Sequence, residues 1–151
     1  MAPRLELLTD ANRDAAMELR VRADQWQYVA TVEQSLSDGG EHDPAAVWQR
    51  LIYHEDTLVG FVMAGWFDRH PLFDSGLWRL LIAAEHQCKG FGRFAVGEVA
   101  REARRRGRDK LTVFFHPGPD GPEGFYEKLG FRLNGKRGDD AEVQAVLVFD
   151  A

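Results

Sequence analysis

The apolar positions of this chain recur with two different periods, and the alternation between them predicts an order of elements. Residues 5–8 predict a short first strand, and Thr9-Asp10 supplies a cap for a helix expected over residues 11–22. A second segment of helical periodicity covers residues 25–36 and stops at Ser37-Asp38-Gly39-Gly40, while Pro44 opens a short helix or turn. Residues 47–54 and 58–67 read as strands joined by the turn Glu55-Asp56-Thr57. A loop at Arg69-His70-Pro71 leads to another strand over residues 76–84.

The next segment changes to a long helical period. Phe91, Phe94, Ala95, Val99 and Ala103 fall on one apolar stripe of a helix running to Arg106, and Gly107 stands where a left-handed residue ends such a helix. Residues 111–115 form a strand of the buried type, broken by His116-Pro117-Gly118-Pro119-Asp120-Gly121. Pro122 suits the first position of a short helix through Leu129, ended by Gly130. Strands near residues 131–133 and over 143–149, with a turn over 134–140, close the chain. An antiparallel group, a strand–helix–strand–helix unit and a final hairpin make a mixed α/β sheet.

Composition narrows the class. The 151 residues are 44% apolar and include 10 Phe and 4 Trp, which fits one globular domain over residues 1–151 with a sizeable core. No stretch approaches the ~20 apolar residues of a membrane span, and the N-terminus lacks the features of a secretory signal, so a cytoplasmic location is expected. One cysteine, Cys88, excludes an internal disulfide, and 5 scattered histidines offer no metal-ligand spacing. A net charge of −5 argues against a general affinity for nucleic acid. Basic residues nevertheless dominate from Arg93 to Lys110, which would suit a polyanionic cofactor. The N-terminal half carries many acids, which would suit a cationic substrate.

Gln87-Cys88-Lys89-Gly90-Phe91-Gly92 lies between the strand over 76–84 and the long helix. A strand that turns through glycines into a helix leaves backbone N–H groups at the helix's positive end, a cradle for a phosphate or pyrophosphate. A Cβ at those glycines is expected to block the phosphate. Gly90-x-Gly92-x-x-Ala95 also satisfies a dinucleotide-binding pattern, but no acid stands at the end of the following strand to hold a ribose. A tight turn with no ligand is the remaining alternative.

Together with Tyr126-Glu127-Lys128-Leu129-Gly130-Phe131 and the apolar run from Leu80, this loop resembles the Gcn5-related N-acetyltransferases (GNAT). Gln27-Tyr28-Val29-Ala30, Val59-Gly60-Phe61-Val62-Met63 and His116-Pro117-Gly118 are similar to segments of the bacterial spermine/spermidine N-acetyltransferases. The resemblance implies a mixed, mostly antiparallel central sheet flanked by helices, with acetyl-CoA as co-substrate and no metal. It implies that Leu80, Leu81 and Ile82 face the pantetheine arm, with N–H groups near Leu81 and Ile82 on the thioester carbonyl. Gln87, Cys88, Lys89, Gly90, Phe91, Gly92 and Arg93 would hold the pyrophosphate. It further implies a primary amine acceptor such as a polyamine; an amino acid, an aminoglycoside or a protein N-terminus are alternatives, as is an acyl-CoA-binding module without turnover. A homodimer is plausible by the same analogy. The Asn often found seven residues before the tyrosine is Pro119 here, and Cys88 replaces a glycine of the polyamine subfamily.

Amide formation from a thioester needs a neutral amine, stabilisation of the carbonyl oxygen and a proton for the thiolate. Tyr126 matches the tyrosine that these enzymes use as general acid, and a phenol with an ordinary pKa near ~10 is protonated at neutral pH. Glu33, Asp68, Asp74, Glu85 and His116 are candidate bases, with Glu33 and His116 foremost. Cys88 sits too far along the loop to act as a nucleophile.

Overall fold

A computed structural model describes residues 2–67, 76–119, 121–138 and 141–149. The loop expected at Arg69-His70-Pro71, with Asp68 and Asp74, lies outside the described residues. The strands are β1 (Arg4–Glu6), β2 (Val47–His54), β3 (Thr57–Gly65), β4 (Gly76–Ile82), β5 (Lys110–Phe115), β6 (Arg132–Arg137) and β7 (Val143–Val148). The helices are α1 (Arg13–Met17), α2 (Val32–Gly39), α3 (Phe91–Arg105) and α4 (Glu123–Lys128). One sheet holds all seven strands in the order β1-β2-β3-β4-β5-β7-β6, antiparallel throughout except between β4 and β5. The α/β arrangement expected from the sequence is the one observed.

Each face of the sheet carries its own core. Val59, Val62, Leu77, Leu111 and Val113 pack beneath α3, whose stripe of Phe91, Ala95, Val99 and Ala103 is buried as its spacing predicts. Leu51, Phe61, Met63 and Leu81 pack on the other face against Ala16 of α1 and Val32 of α2. Alternate residues of β3, Phe61 and Val62, thus serve opposite cores, as the two-residue period of a strand requires.

The two N-terminal helices are shorter than predicted. The helix expected over 11–22 is α1 alone, because the Arg20 guanidinium takes the Met17 and Leu19 carbonyls at 2.7 and 2.8 Å. The Arg20 carbonyl meanwhile accepts from the Ala84 N–H at 2.8 Å, tying that backbone to the end of β4. The periodic segment over 25–36 divides where the Thr31 hydroxyl caps α2, accepting from the Gln34 N–H at 3.1 Å. Residues 26–30 are left outside any helix and free to line the site.

Where α3 ends, Gly107 takes φ +81° and the Arg108 N–H reaches the Ala103 carbonyl at 2.9 Å, closing the helix as foreseen. Glu102 accepts from Arg105 and Arg106 at 2.5 and 2.7 Å, and Arg106 also lies over the buried Trp66 ring. The Arg105 hydrogen bond, helped by Arg106, outweighs burial and holds the Glu102 carboxyl down to about 2, against an ordinary 4.5. A depressed folded-state pKa stabilises the fold above the unfolded value and is lost as pH falls through the folded one. Glu102→Gln is therefore expected to cost about 1–2 kcal/mol at neutral pH, the range of a charged hydrogen bond discounted for exposure. In denaturant titrations that difference should shrink as pH falls from 4.5 towards 2.

The basic run at the end of α3 thus serves the fold. Arg104 stands about 14 residues beyond Gly90, roughly 21 Å along the helix at 1.5 Å per residue. Arg93, in the first turn of α3, is the member of the basic run that lies beside the loop and lines the cleft described below.

Candidate active site

Residues between β4 and α3 form a loop whose backbone twice takes the left-handed conformation, φ +62° at Cys88 and +88° at Gly90. The first helical bond of α3 runs from Phe94 N–H to the Gly90 carbonyl at 3.0 Å. Among the described residues, the N–H groups of Lys89, Gly90, Phe91, Gly92 and Arg93 therefore have no protein acceptor. Five amides at the positive end of a 15-residue helix make an anion cradle.

The fold gives each of the two glycines a reason of its own. A Cβ on Gly90 would meet no protein atom within 4 Å, so its backbone angle is what demands glycine. A Cβ on Gly92 would press on the Phe125 ring at 3.1 Å, so Gly92 lets α4 close on α3.

Beyond the cradle the sheet opens. β4 and β5 pair only at Gly76–Thr112 and Leu77–Val113, and then the strands part. The register of β3 against β4 shifts between Met63 and Ala64, which face Arg79 and Leu77, so Trp78 is an extra residue in β4. The gap is a cleft of about 740 Å³ running from the cradle past Leu80 and Ile82 to His116 and Tyr126. β4 is left with backbone groups that β5 does not pair, so the gap fits an extended amide-bearing chain.

Residues 25–28 span the cleft. The Gln87 side-chain amide donates to the Gln25 side chain at 2.8 Å and to the Ile82 carbonyl at 2.9 Å. On the other wall the Tyr28 ring lies against Gly118 and Gly121, its hydroxyl filling the space a Cβ on Gly118 would need. Gly118 and Gly121 thus seat Tyr28 at the cleft wall.

Tyr126 is buried, 7% exposed, and held among Phe125, Phe131 and a stacked Phe115 at ring distances of 5.1, 5.4 and 5.5 Å. No protein hydrogen bond engages its hydroxyl among the described residues, and the residue borders the cleft. Burial pushes the phenol above its ordinary value, so it carries its proton at every working pH. Cradle, splayed strands and buried phenol suit, in turn, a pyrophosphate, a pantetheine chain and a departing thiolate.

Residues 5–131 match the Acetyltransferase (GNAT) family. The chain belongs to that family. This GNAT chain is 27% identical over 149 residues to the spermine/spermidine N(1)-acetyltransferase of Bacillus subtilis, an alignment covering 90% of this chain and 91% of that one. The PaiA N-acetyltransferase of Thermoplasma acidophilum, solved in complex with coenzyme A, has the same fold at TM-score 0.70. It is 15% identical, with 99% of this chain and 100% of that one covered. YncA of Salmonella typhimurium, solved with its cofactor acetyl-CoA, superposes at TM-score 0.73. Its identity is 16%, with 100% of this chain and 96% of that one covered.

In this acetyltransferase the residues expected at the site fall into three groups. Leu80, Ile82, Gln87, Cys88, Gly90, Phe91, Gly92, Arg93, His116 and Tyr126 all line the cleft. Leu81 and Lys89 border the region without facing the cleft: Leu81 is buried in the core of the opposite face, and Lys89 lines a separate hollow behind the loop. Gln87 acts by bracing the loop, since its amide is spent on Ile82 and Gln25.

Glu33 does not come to the site. It stands exposed in the first turn of α2, where Val32 and Ser35 take the buried face, and it is absent from the cleft lining. The acids of the N-terminal half are likewise dispersed among the described residues. Asp38 pairs with Arg79 at 2.7 Å, Asp43 caps the turn before β2, and Glu55 and Asp56 sit at the β2–β3 turn. Glu142 is the one carboxylate lining the cleft among the described residues. Sequence reasoning missed it, together with Trp78 and Phe114. The signal for Glu142 was its place immediately before the last strand, but only strand pairing shows what faces it.

Proposed function

We propose that this acetyltransferase transfers acetyl from acetyl-CoA to a primary amine by direct attack, with a polyamine such as spermine or spermidine as acceptor. The observation that carries the reading is a buried, unengaged phenol bordering a cleft that begins at five free amides. The amides from Lys89 to Arg93 would hold the pyrophosphate, with the exposed Arg93 adding charge at the cleft wall. The backbone of Leu80 to Ile82 would pair with the pantetheine arm and polarise the thioester carbonyl. Acetyl-CoA supplies the acetyl group already activated as a thioester. Tyr126 gives its proton to the sulfur as the carbon–sulfur bond breaks, and His116 borders the same cleft as the residue to take a proton from the amine.

The polyamine part of the reading rests on the relatives' acceptor, at 27% identity. One observation favours a second acceptor class. A single carboxylate, Glu142, lines the cleft among the described residues, and Tyr28 and Phe114 line it as well, which suits an amine bearing one ammonium and an apolar body.

Thiol titration of CoA release against spermine, spermidine, putrescine, amino acids and an aminoglycoside tests both. Faster turnover of spermine or spermidine than of monoamines supports the polyamine reading. Preference for a monoamine keeps the chemistry and changes the acceptor. Tight acetyl-CoA binding without turnover of any amine would make the chain an acyl-CoA-binding module.

A further inference from the structure

We propose that Glu142 is the positioning residue for His116, and that this pair receives the proton released by the acceptor amine. The proposal rests on the amine-acetylating reading above. His116 follows the last residue of β5 and Glu142 precedes the first of β7. The antiparallel ladder brings Phe115 opposite Val143, so its next step places His116 opposite Glu142. The His116 Nε2 and Glu142 Oε2 atoms are 3.9 Å apart, and the side chains are 32% and 30% exposed at the cleft wall. The Gly138 N–H donates to the Glu142 carbonyl at 3.1 Å, pinning that backbone beside the site.

The chemistry follows from which ring nitrogen faces the carboxylate. A carboxylate beside Nε2 favours the tautomer with its proton there, leaving the Nδ1 lone pair to accept. An amine that has shed one proton to solvent attacks the thioester carbon, forming the carbon–nitrogen bond. His116 Nδ1 takes the second amine proton, and Glu142 balances the resulting imidazolium. The carbon–sulfur bond breaks and Tyr126 protonates the thiolate. Imidazolium and phenolate then return to their resting states by exchange with solvent, so atoms and charge balance.

Other charged or titratable groups on the cleft wall do not compete for the role. Arg79 is paired with Asp38, and Tyr28 is seated on Gly118 and Gly121. Arg22 is paired with Asp24, and His86, Cys88 and Arg93 lie between the end of β4 and the first turn of α3.

The test is the pH dependence of amine acetylation, from about pH 6 to 9, in the wild type, Glu142→Gln, Glu142→Asp and His116→Gln. Glu142→Gln should lower kcat about 10- to 100-fold, with the amine KM and the CoA Kd within about twofold of wild type. An acid limb in the wild-type rate reports the base that must be neutral to accept the amine proton. Glu142→Asp should recover part of the rate, and His116→Gln should lose the limb. A raised amine KM with kcat unchanged in Glu142→Gln overturns the proposal and makes Glu142 a substrate anchor. An acid limb that persists in His116→Gln overturns it too, while leaving the acetyltransferase reading intact. A wild-type chain that acetylates no amine overturns both.

Discussion

Tyr126→Phe is expected to lower kcat by about 100-fold or more while the Kd for CoA stays within about twofold, a split that marks a group acting in the transition state. The substitution removes one oxygen from a ring packed among Phe115, Phe125 and Phe131, so the site keeps its shape. What it takes away is the hydroxyl proposed to give its proton to the thiolate. Burial raises the phenol's pKa, so in the wild type this donor is fully protonated across neutral and alkaline pH. The wild-type rate should therefore show no alkaline limb that Tyr126→Phe abolishes below about pH 10. Steady-state kinetics with calorimetric CoA binding checks both statements. An unchanged kcat would remove Tyr126 from the mechanism and leave solvent as the acid.

Gly90→Asp is expected to weaken CoA binding by about 100-fold or more, the largest loss a single loop substitution should produce. Its carboxylate would sit at the mouth of the cradle and repel the pyrophosphate that five free amides otherwise attract. Aspartate is chosen because it tolerates the φ of +88° better than branched residues do, which keeps the folding cost to about 1–2 kcal/mol. Calorimetry for CoA and thermal melting separate the two effects. A lowered melting temperature with an unchanged Kd would mean that the cradle is not where the phosphates bind.

The readings that survived were those written in adjacent residues. The α3 stripe, the left-handed Gly107 and Gly130, and the cradle at Gly90 each depend on a few consecutive positions, and each is present. The N-terminal helices were overextended because their limits are set from elsewhere. Arg20 turns back on the Met17 carbonyl while its own backbone binds Ala84. Neither contact leaves a periodic trace in the sequence. Where charge ends up is likewise set by contacts distant in the chain. The arginines ending α3 are absorbed by Glu102, Trp66 and Phe149, and the acids of the N-terminal half do not gather at the cleft among the described residues.

By itself, then, the sequence determined the class of fold, the left-handed glycine loop that opens α3, and the short helix that carries Tyr126. Local backbone angles and helix periodicity are properties of neighbours in the chain. Tertiary structure alone decided where β4 and β5 part, why Gly92 and Gly118 must be bare, that Glu33 stays outside, and that Glu142 meets His116. Those facts depend on strand order and register, which are settled by the burial of two cores on one sheet and by contacts between residues far apart in the chain.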